Sequence, residues 1–338
     1  VAYRIDENKP SRDGRVGVTI NEATATRPGY TLVFSRSDSA ARLIDMAGAV
    51  VHRWRSDRGI AWHDAKMLSD GSLLVVANAG GRHRLLVIGW DGALLREHER
   101  PVHHDAMMLP TGEILAVCHA RAQYQHLAAK PRLYDYLIRV NPEGELTWEW
   151  HFAAHVDEPG GALSKLTLFD SDEHTDWPHI NTASVMRVTA AGQRDARFRG
   201  GNVLFCARHA HVIGVIDAKT DAVVWAWGPG ELMGPHQPVM LQTGNILLFD
   251  NGWGPPMRGW SRVIEVDPVA ERIVWSYQAD PKESFWSPVG SGAQRLLGGN
   301  TLICAMNWAQ CGRVFEVTPA GEVVWEYWND ELQPLYRA

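Results

Sequence analysis

Cysteine is scarce: Cys118, Cys206, Cys304 and Cys311 are the only four in 338 residues, too few for a disulfide scaffold. Three of them close apolar runs (ILAVC, VLFC, TLIC) and read as buried thiols acting as small hydrophobes. Cys304 and Cys311 flank a candidate hairpin turn and would pair only in an oxidising compartment. Long apolar runs are also missing. None nears the roughly 18 residues of a bilayer-spanning helix, so no membrane protein is expected. There is no basic excess: 33 Lys and Arg face 39 Asp and Glu, for a net charge of −6. That balance speaks against a nucleic-acid partner. No apolar signal-type segment follows Val1. This favours a cytoplasmic protein, or a periplasmic or secreted one whose signal was removed ahead of Val1. Helical periodicity is nearly absent, and 45% hydrophobic with 21% charged residues excludes intrinsic disorder.

What the chain does have is fifteen Trp and fifteen His, side chains with polar tips that suit binding sites. It also has an internal repeat. A Gly followed by an apolar strand, then a second strand, a turn and a run ending near Trp recurs six times, from Gly29, Gly71, Gly112, Gly201, Gly244 and Gly299. The steps are 42, 41, 89, 43 and 55 residues. Steps near 42 residues fit four short strands, the size of a propeller blade. The turns DMAG, GWDG, NPEG and TPAG read as hairpins joining the third and fourth strands. The fourth-strand tryptophans (Trp54, Trp150, Trp227, Trp275, Trp325) read as packing between blades. The expected fold is therefore all-β, a single six-bladed β-propeller over 1–338 with four-stranded antiparallel blades around a central channel. The long step carries an acidic, irregular stretch, read as an insertion loop over 154–178 of the kind that often forms a lid.

Another strand precedes each Gly. In WHDAKML, HHDAMML, PHQPVML and VGSGAQRL, the residue five before the Leu is His63, His104, His236 and Ser291. DWPHINTASVM places His179 in a similar slot, and the first unit offers Asn21. Inner strands of a propeller stand side by side, so equal offsets mean equal height. Four imidazoles should meet near one mouth of the channel. A second matched position, seven residues after each Gly, holds Arg36, Asn78, His119, Arg208, Asn251 and Met306. Of these, Arg208 is favoured because it shares its unit with His179. Trp62 and Trp177, beside the histidines in sequence, are candidates for an aromatic wall against an aryl or sugar ring.

PGYTLVF with LIDMAGAVVHRW, HHDAMMLPTGEIL, DWPHINTASV, VLFCAR, HQPVMLQTGNILLFDNG and GAQRLLGGNTLI together resemble the arylsulfotransferase family, in a short form lacking the separate N-terminal domain. The resemblance implies transfer of a sulfuryl group between phenols in two half-reactions, without PAPS as donor. By motif, His236 resembles the histidine that takes the sulfuryl group. His104, His179 and Asn181 resemble supporting residues, and Arg208 the sulfate-binding arginine. His63, His119, Asn251, Trp62, Trp177 and Tyr124 complete the candidate substrate-binding set.

The groups suit that chemistry. Sulfuryl transfer resembles phosphoryl transfer, with charge on the equatorial oxygens. It needs a nucleophile, a cation and a proton donor for the leaving phenolate. Two other readings use the same residues. A uronate polysaccharide lyase would need a base and a carboxylate clamp, with Tyr124, Tyr134 or Tyr136 as a further acid or base. A metal enzyme would bind its ion through His63, His104, His179 and His236. A fourth reading is a binding propeller without activity. No cofactor is required by the first, and the partner in each is a small aromatic or carbohydrate molecule.

Overall fold

The computed structural model describes residues 14–35, 39–56, 61–79, 81–170, 175–254, 256–306, 312–329 and 335. The chain enters on β1 (Gly17–Asn21) and then forms the first sheet from β2 (Thr31–Phe34), β3 (Ala40–Ile44) and β4 (Val50–Arg55). The second sheet is β5 (Trp62–Met67), β6 (Leu73–Ala79), β7 (Arg82–Ile88) and β8 (Leu94–Glu99). The third is β9 (Val102–Met108), β10 (Ile114–Ala122), β11 (Arg132–Val140) and β12 (Leu146–His151). After a short helix α1 (Phe152–His155), β13 (Ile180–Val185) opens the fourth sheet. A second helix, α2 (Ala190–Arg194), leads to its remaining strands, β14 (Val203–Ala207), β15 (Val212–Ile216) and β16 (Val223–Trp227). The fifth is β17 (Pro235–Met240), β18 (Ile246–Asp250), β19 (Arg262–Asp267) and β20 (Arg272–Tyr277). The sixth is β21 (Gly292–Arg295), β22 (Thr301–Ala305), β23 (Arg313–Val317) and β24 (Val323–Trp328), with β1 added outside β24. These six antiparallel sheets make a six-bladed β-propeller. No helix among the described residues is long and apolar enough to cross a membrane.

The burial of each strand follows its place in the blade. The middle strands β14 and β18 are buried at every residue and read as unbroken apolar runs, VLFCA and ILLFD. The outer strands β4 and β20 alternate exposed and less exposed positions, as half-solvated strands do. The Leu-x-x-Gly turns share one geometry. Leu68, Leu109, Leu241 and Leu296 each accept a bond from the Gly three residues on. Those glycines, Gly71, Gly112, Gly244 and Gly299, have φ of +84°, +84°, +91° and +101°, a region closed to most side chains.

Three of the fourth-strand tryptophans join neighbouring blades through directed bonds. Trp150 Nε1 donates to the Asp221 carbonyl, Trp275 Nε1 to the Pro319 carbonyl and Trp325 Nε1 to the Met46 carbonyl, each at 2.9 Å. Every acceptor lies in the hairpin turn of the following blade. Each such bond adds about 1 kcal/mol net and fixes the angle between blades.

Two expectations need correction. Four blades have four strands, but the first has three among the described residues and the last has five. Asn21 is the reason: it lies on β1 and pairs with Trp325 at the outer edge of the last blade, not at the inner edge of the first. Pairing of the N-terminal strand with β24 closes the ring. Leu335, 1% exposed, bridges to Ser35 of the first blade and fastens the other end. Cys118, Cys206 and Cys304 are buried free thiols, whereas Cys311, Arg36 and Trp308 lie outside the described residues.

Candidate functional site

The inner strands all start at one end of the propeller, and the chemistry gathers there. His63 is the second residue of β5, His104 the third of β9 and His236 the second of β17. His179 and Ser291 directly precede β13 and β21. At these points the ladders slip, by one residue between Trp62 and Asp64, between Ile180 and Thr182 and between His236 and Val239, and by two opposite Ala116–Cys118. His104, His179, Gln237 and Ser291 take φ of +60°, +61°, +48° and +76°. Such left-handed turns at non-glycine residues cost about 1–3 kcal/mol each and cluster where side chains are re-aimed for function. Gly292 makes room for this: a Cβ there would overlap the Gln237 side chain.

The inner strands are stitched to one another by side chains. Lys66 on β5 pairs with Asp105 on β9. Asp105 Oδ2 accepts the Ala183 N–H of β13 at 2.9 Å, and Thr182 Oγ1 accepts the Gln237 N–H of β17 at 3.2 Å. Asn181, fully buried, donates from Nδ2 to the Pro235 carbonyl at 2.8 Å. His236 is thereby tied to β13, the strand that His179 precedes.

The imidazoles form a chain of ring contacts. Ring centroids are 5.6 Å apart for His63 and His104, 4.6 Å for His104 and His179, and 4.5 Å for His179 and His209. His179 donates from Nδ1 to Asp176 Oδ2 at 2.6 Å. Burial would raise the Asp176 carboxyl, but the imidazole and hydrogen bond of His179 outweigh it and hold the group below its usual range. Arg208, 1% exposed, lies over the Trp253 ring at 4.4 Å. Its Nη1 donates to His209 Nε2 at 2.6 Å, and its Nη2 points at the Pro288 carbonyl at 3.4 Å. His209 therefore carries its proton on Nδ1, which donates to the Asp176 carbonyl at 2.8 Å. Burial, then His179 and Arg208, push His209 far below its usual pKa, so it is a neutral prop for the guanidinium.

His236, 2% exposed, is held by Asn251. Asn251 Nδ2 donates to the carbonyls of Ser287 at 2.7 Å and Gly290 at 3.1 Å. Two carbonyl partners fix which end of the amide is nitrogen. Its Oδ1 then faces His236 Nδ1 at 2.7 Å, with the Gly234 carbonyl at 3.2 Å. Both neighbours are acceptors, so Nδ1 bears a proton, and the neutral tautomer is the one with its lone pair on Nε2.

Other candidates fall elsewhere. Trp62 is 0% exposed, in a core cluster with Phe34, Trp54 and Ala65. Trp177 is 2% exposed, packed with Phe152 and Phe205, and donates to the Phe169 carbonyl. Neither forms an open aromatic wall; both are packing residues. Tyr124 pairs with Tyr134 at 4.8 Å against the core of the third and fourth blades, and Tyr136 stacks on His151. The axial four-histidine metal set also gives way. Among the described residues, the group whose ligand atoms converge is His103, His119 and Asp135, and the four axial histidines do not form such a group. His103, Asp135, Asp176 and His209 escaped the sequence reading. The doublet HH at 103–104 and the run RHAH at 208–211 were the available signals.

The stretch read as an insertion is anchored. Val156, Leu163 and Trp177 are buried in the core, and the Ala162 N–H donates to the Val223 carbonyl. It delivers Asp176 to His179.

Together the fold and the site define a six-bladed propeller with a strained, imidazole-lined end. The chain belongs to the arylsulfotransferase (ASST) family, whose model matches residues 18–234. No curated protein matches it. Among solved structures it is similar to a protein of unknown function from Bacteroides caccae, at 14% identity and TM-score 0.62, covering 92% of this chain and 98% of that one. It is also similar to a streptogramin B lyase, at 10% identity and TM-score 0.53, covering 96% and 86%. At those identities the likeness is one of fold.

Proposed function

We propose that this protein is an aryl-sulfate sulfotransferase that carries the sulfuryl group on His236. The observation that supports this most is the fixed tautomer of His236: the amide of Asn251 holds the proton on Nδ1 and leaves the lone pair on Nε2. A buried, oriented imidazole attacks through Nε2 in its neutral form, which makes it a nucleophile.

In the first half-reaction Nε2 attacks sulfur. The N–S bond forms as the bond from sulfur to the aryl oxygen breaks. The leaving phenolate, with a pKa near 10, takes a proton from the Asp176–His179 pair, in which the carboxylate supports the imidazolium as in other His–carboxylate dyads. In the second, the acceptor phenol returns that proton to His179 as its oxygen attacks sulfur. The N–S bond breaks and His236 is restored. Arg208 supplies positive charge for the sulfuryl oxygens, each charge-assisted bond contributing about 1.5–3 kcal/mol. His104 and His63 line the same end and bound the space for the ring.

Initial rates with an aryl sulfate and a phenolic acceptor test the reading. Two half-reactions predict parallel lines in double-reciprocal plots and exchange of label between free phenol and aryl sulfate. Inert aryl sulfates, together with unsaturated products from uronate polymers, would reject it in favour of a lyase.

A further inference from the structure

We propose that His103, His119 and Asp135 form a binding site for one divalent transition-metal ion, independent of the sulfuryl-transfer reading. The three residues come from three adjacent strands of the third blade, β9, β10 and β11. His119 and Asp135 are direct partners in the ladder, and His103 stacks on His119 with ring centroids 4.3 Å apart and 21° between planes. One ligand atom from each lies within 4.8 Å of the other two, and His103 Nε2 is 2.8 Å from Asp135 Oδ1. Two donors bonded to one ion at about 2.1 Å are at most about 4.2 Å apart, so side-chain shifts under about 1 Å close the set.

The surroundings suit a ligand set more than a folded core. His103 is 2% and Asp135 1% exposed, while His119 is half-buried and gives a way in. His119 Nδ1 is buried and has no hydrogen-bond partner, although buried polar atoms nearly always have one. Asp135 already has an outer support: its Oδ2 accepts the Ile180 N–H at 2.8 Å. Outer supports of this kind orient metal ligands. Placement on paired strands rather than loops holds the donors in register.

Two imidazoles and one carboxylate favour zinc, cobalt or iron(II) over calcium and magnesium, which take mostly oxygen ligands. Three protein ligands also leave coordination positions open. The site bears on the axial ring through one contact: the other nitrogen of His103, Nδ1, meets Nδ1 of His104. An ion on His103 Nε2 forces the proton onto Nδ1, which then donates to His104. His104 must in turn carry its own proton on Nε2, so the ion acts as a positioning device for His104.

The test is a Co2+ titration of chelator-stripped protein, read by visible d–d absorption and by metal content after gel filtration. The proposal predicts one Co2+ per chain, displaced by Zn2+ and not by Mg2+ or Ca2+. Asp135→Asn and His119→Ala should weaken binding at least 100-fold, since outer partners alone are worth about 10–100-fold. His63→Ala should bind as wild type does. Thermal unfolding in chelator checks that the variants fold, and the wild-type titration stands without them. Absence of stoichiometric binding by wild type, undiminished binding by folded Asp135→Asn and His119→Ala, or loss of binding in His63→Ala would overturn the proposal.

Discussion

Replacing Asn251 by Ala isolates what the tautomer lock does. Asn251 Oδ1 lies 2.7 Å from His236 Nδ1, and in the proposed reaction it accepts a bond from the neutral ring before attack. As the N–S bond forms, positive charge appears on the His236 ring and the same bond becomes charge-assisted. Neutral buried bonds contribute about 0.5–1.5 kcal/mol net and bonds to charged groups about 1.5–3. The difference, about 1–2 kcal/mol, is felt only in the transition state and so enters kcat. At about 1.4 kcal/mol per tenfold in rate, Asn251→Ala should lower kcat roughly 5–30-fold. KM for the aryl sulfate should move little. The variant also leaves the Ser287 and Gly290 carbonyls without the amide, at a further cost of about 1–3 kcal/mol for each such group in stability, so activity must be read well below Tm. The deciding assay is a double-mutant cycle. Asn251 acts through His236, so His236→Ala with Asn251→Ala should be no slower than His236→Ala alone. A folded Asn251→Ala with unchanged kcat, or a double variant slower by the full single-variant factor, would refute the reasoning.

Further outcomes follow from the same contacts. Arg208→Lys keeps the charge but loses the fork that bonds His209 and faces Pro288, and kcat/KM for the aryl sulfate should fall about 10–100-fold, one charge-assisted bond's worth. Asp176→Asn keeps the shape but removes the carboxylate beside His179; kcat should drop at least about 100-fold, the loss being smallest for donors whose phenols leave without a proton. Glu326 joins the ring closure, accepting from Thr19 on β1 at 2.5 Å and from Arg313 at 2.6 Å. Burial would raise its pKa, but Arg313 and the Thr19 bond hold it below the ordinary value. Its contribution is therefore full above the unfolded value of about 4.3 and is lost as pH falls through the lower folded value. Tm should decline below about pH 4.5 in wild type and decline less in Glu326→Gln. That variant should be less stable at pH 7 by about 2–3 kcal/mol, under the usual range for a broken buried pair because Arg313 is 19% exposed.

Blades were legible in the sequence because a blade is a local object. Each is made of hairpins whose Leu-x-x-Gly turns and apolar runs recur at near-constant steps, and the left-handed glycines stand where the repeat placed them. The closure of the ring was not legible. GVTIN on β1 carries no sign of which distant edge it will pair with, so Asn21 was placed at the axis and belongs at the rim. The histidine positions were readable as offsets, yet the bulges shift them. In the fifth blade the left-handed residue equivalent to His104 is Gln237, and His236 turns instead toward Asn251. The supporting layer was hidden for a different reason. Asp135 sits mid-strand in LYDYL and Asp176 in an irregular segment, and only the fold brings them to His103 and His179. Trp62 and Trp177 show the reverse error: Trp62 neighbours His63 on β5 and so faces the other side, into the core, and Trp177 precedes β13 and is buried with Phe152 and Phe205.

Mass spectrometry of a rapidly quenched, aryl-sulfate-loaded sample tests the covalent account most directly. A sulfonated peptide containing His236 should form without acceptor and disappear when a phenol is added. Steady turnover with no such adduct, or with the sulfuryl group on another residue, would contradict it.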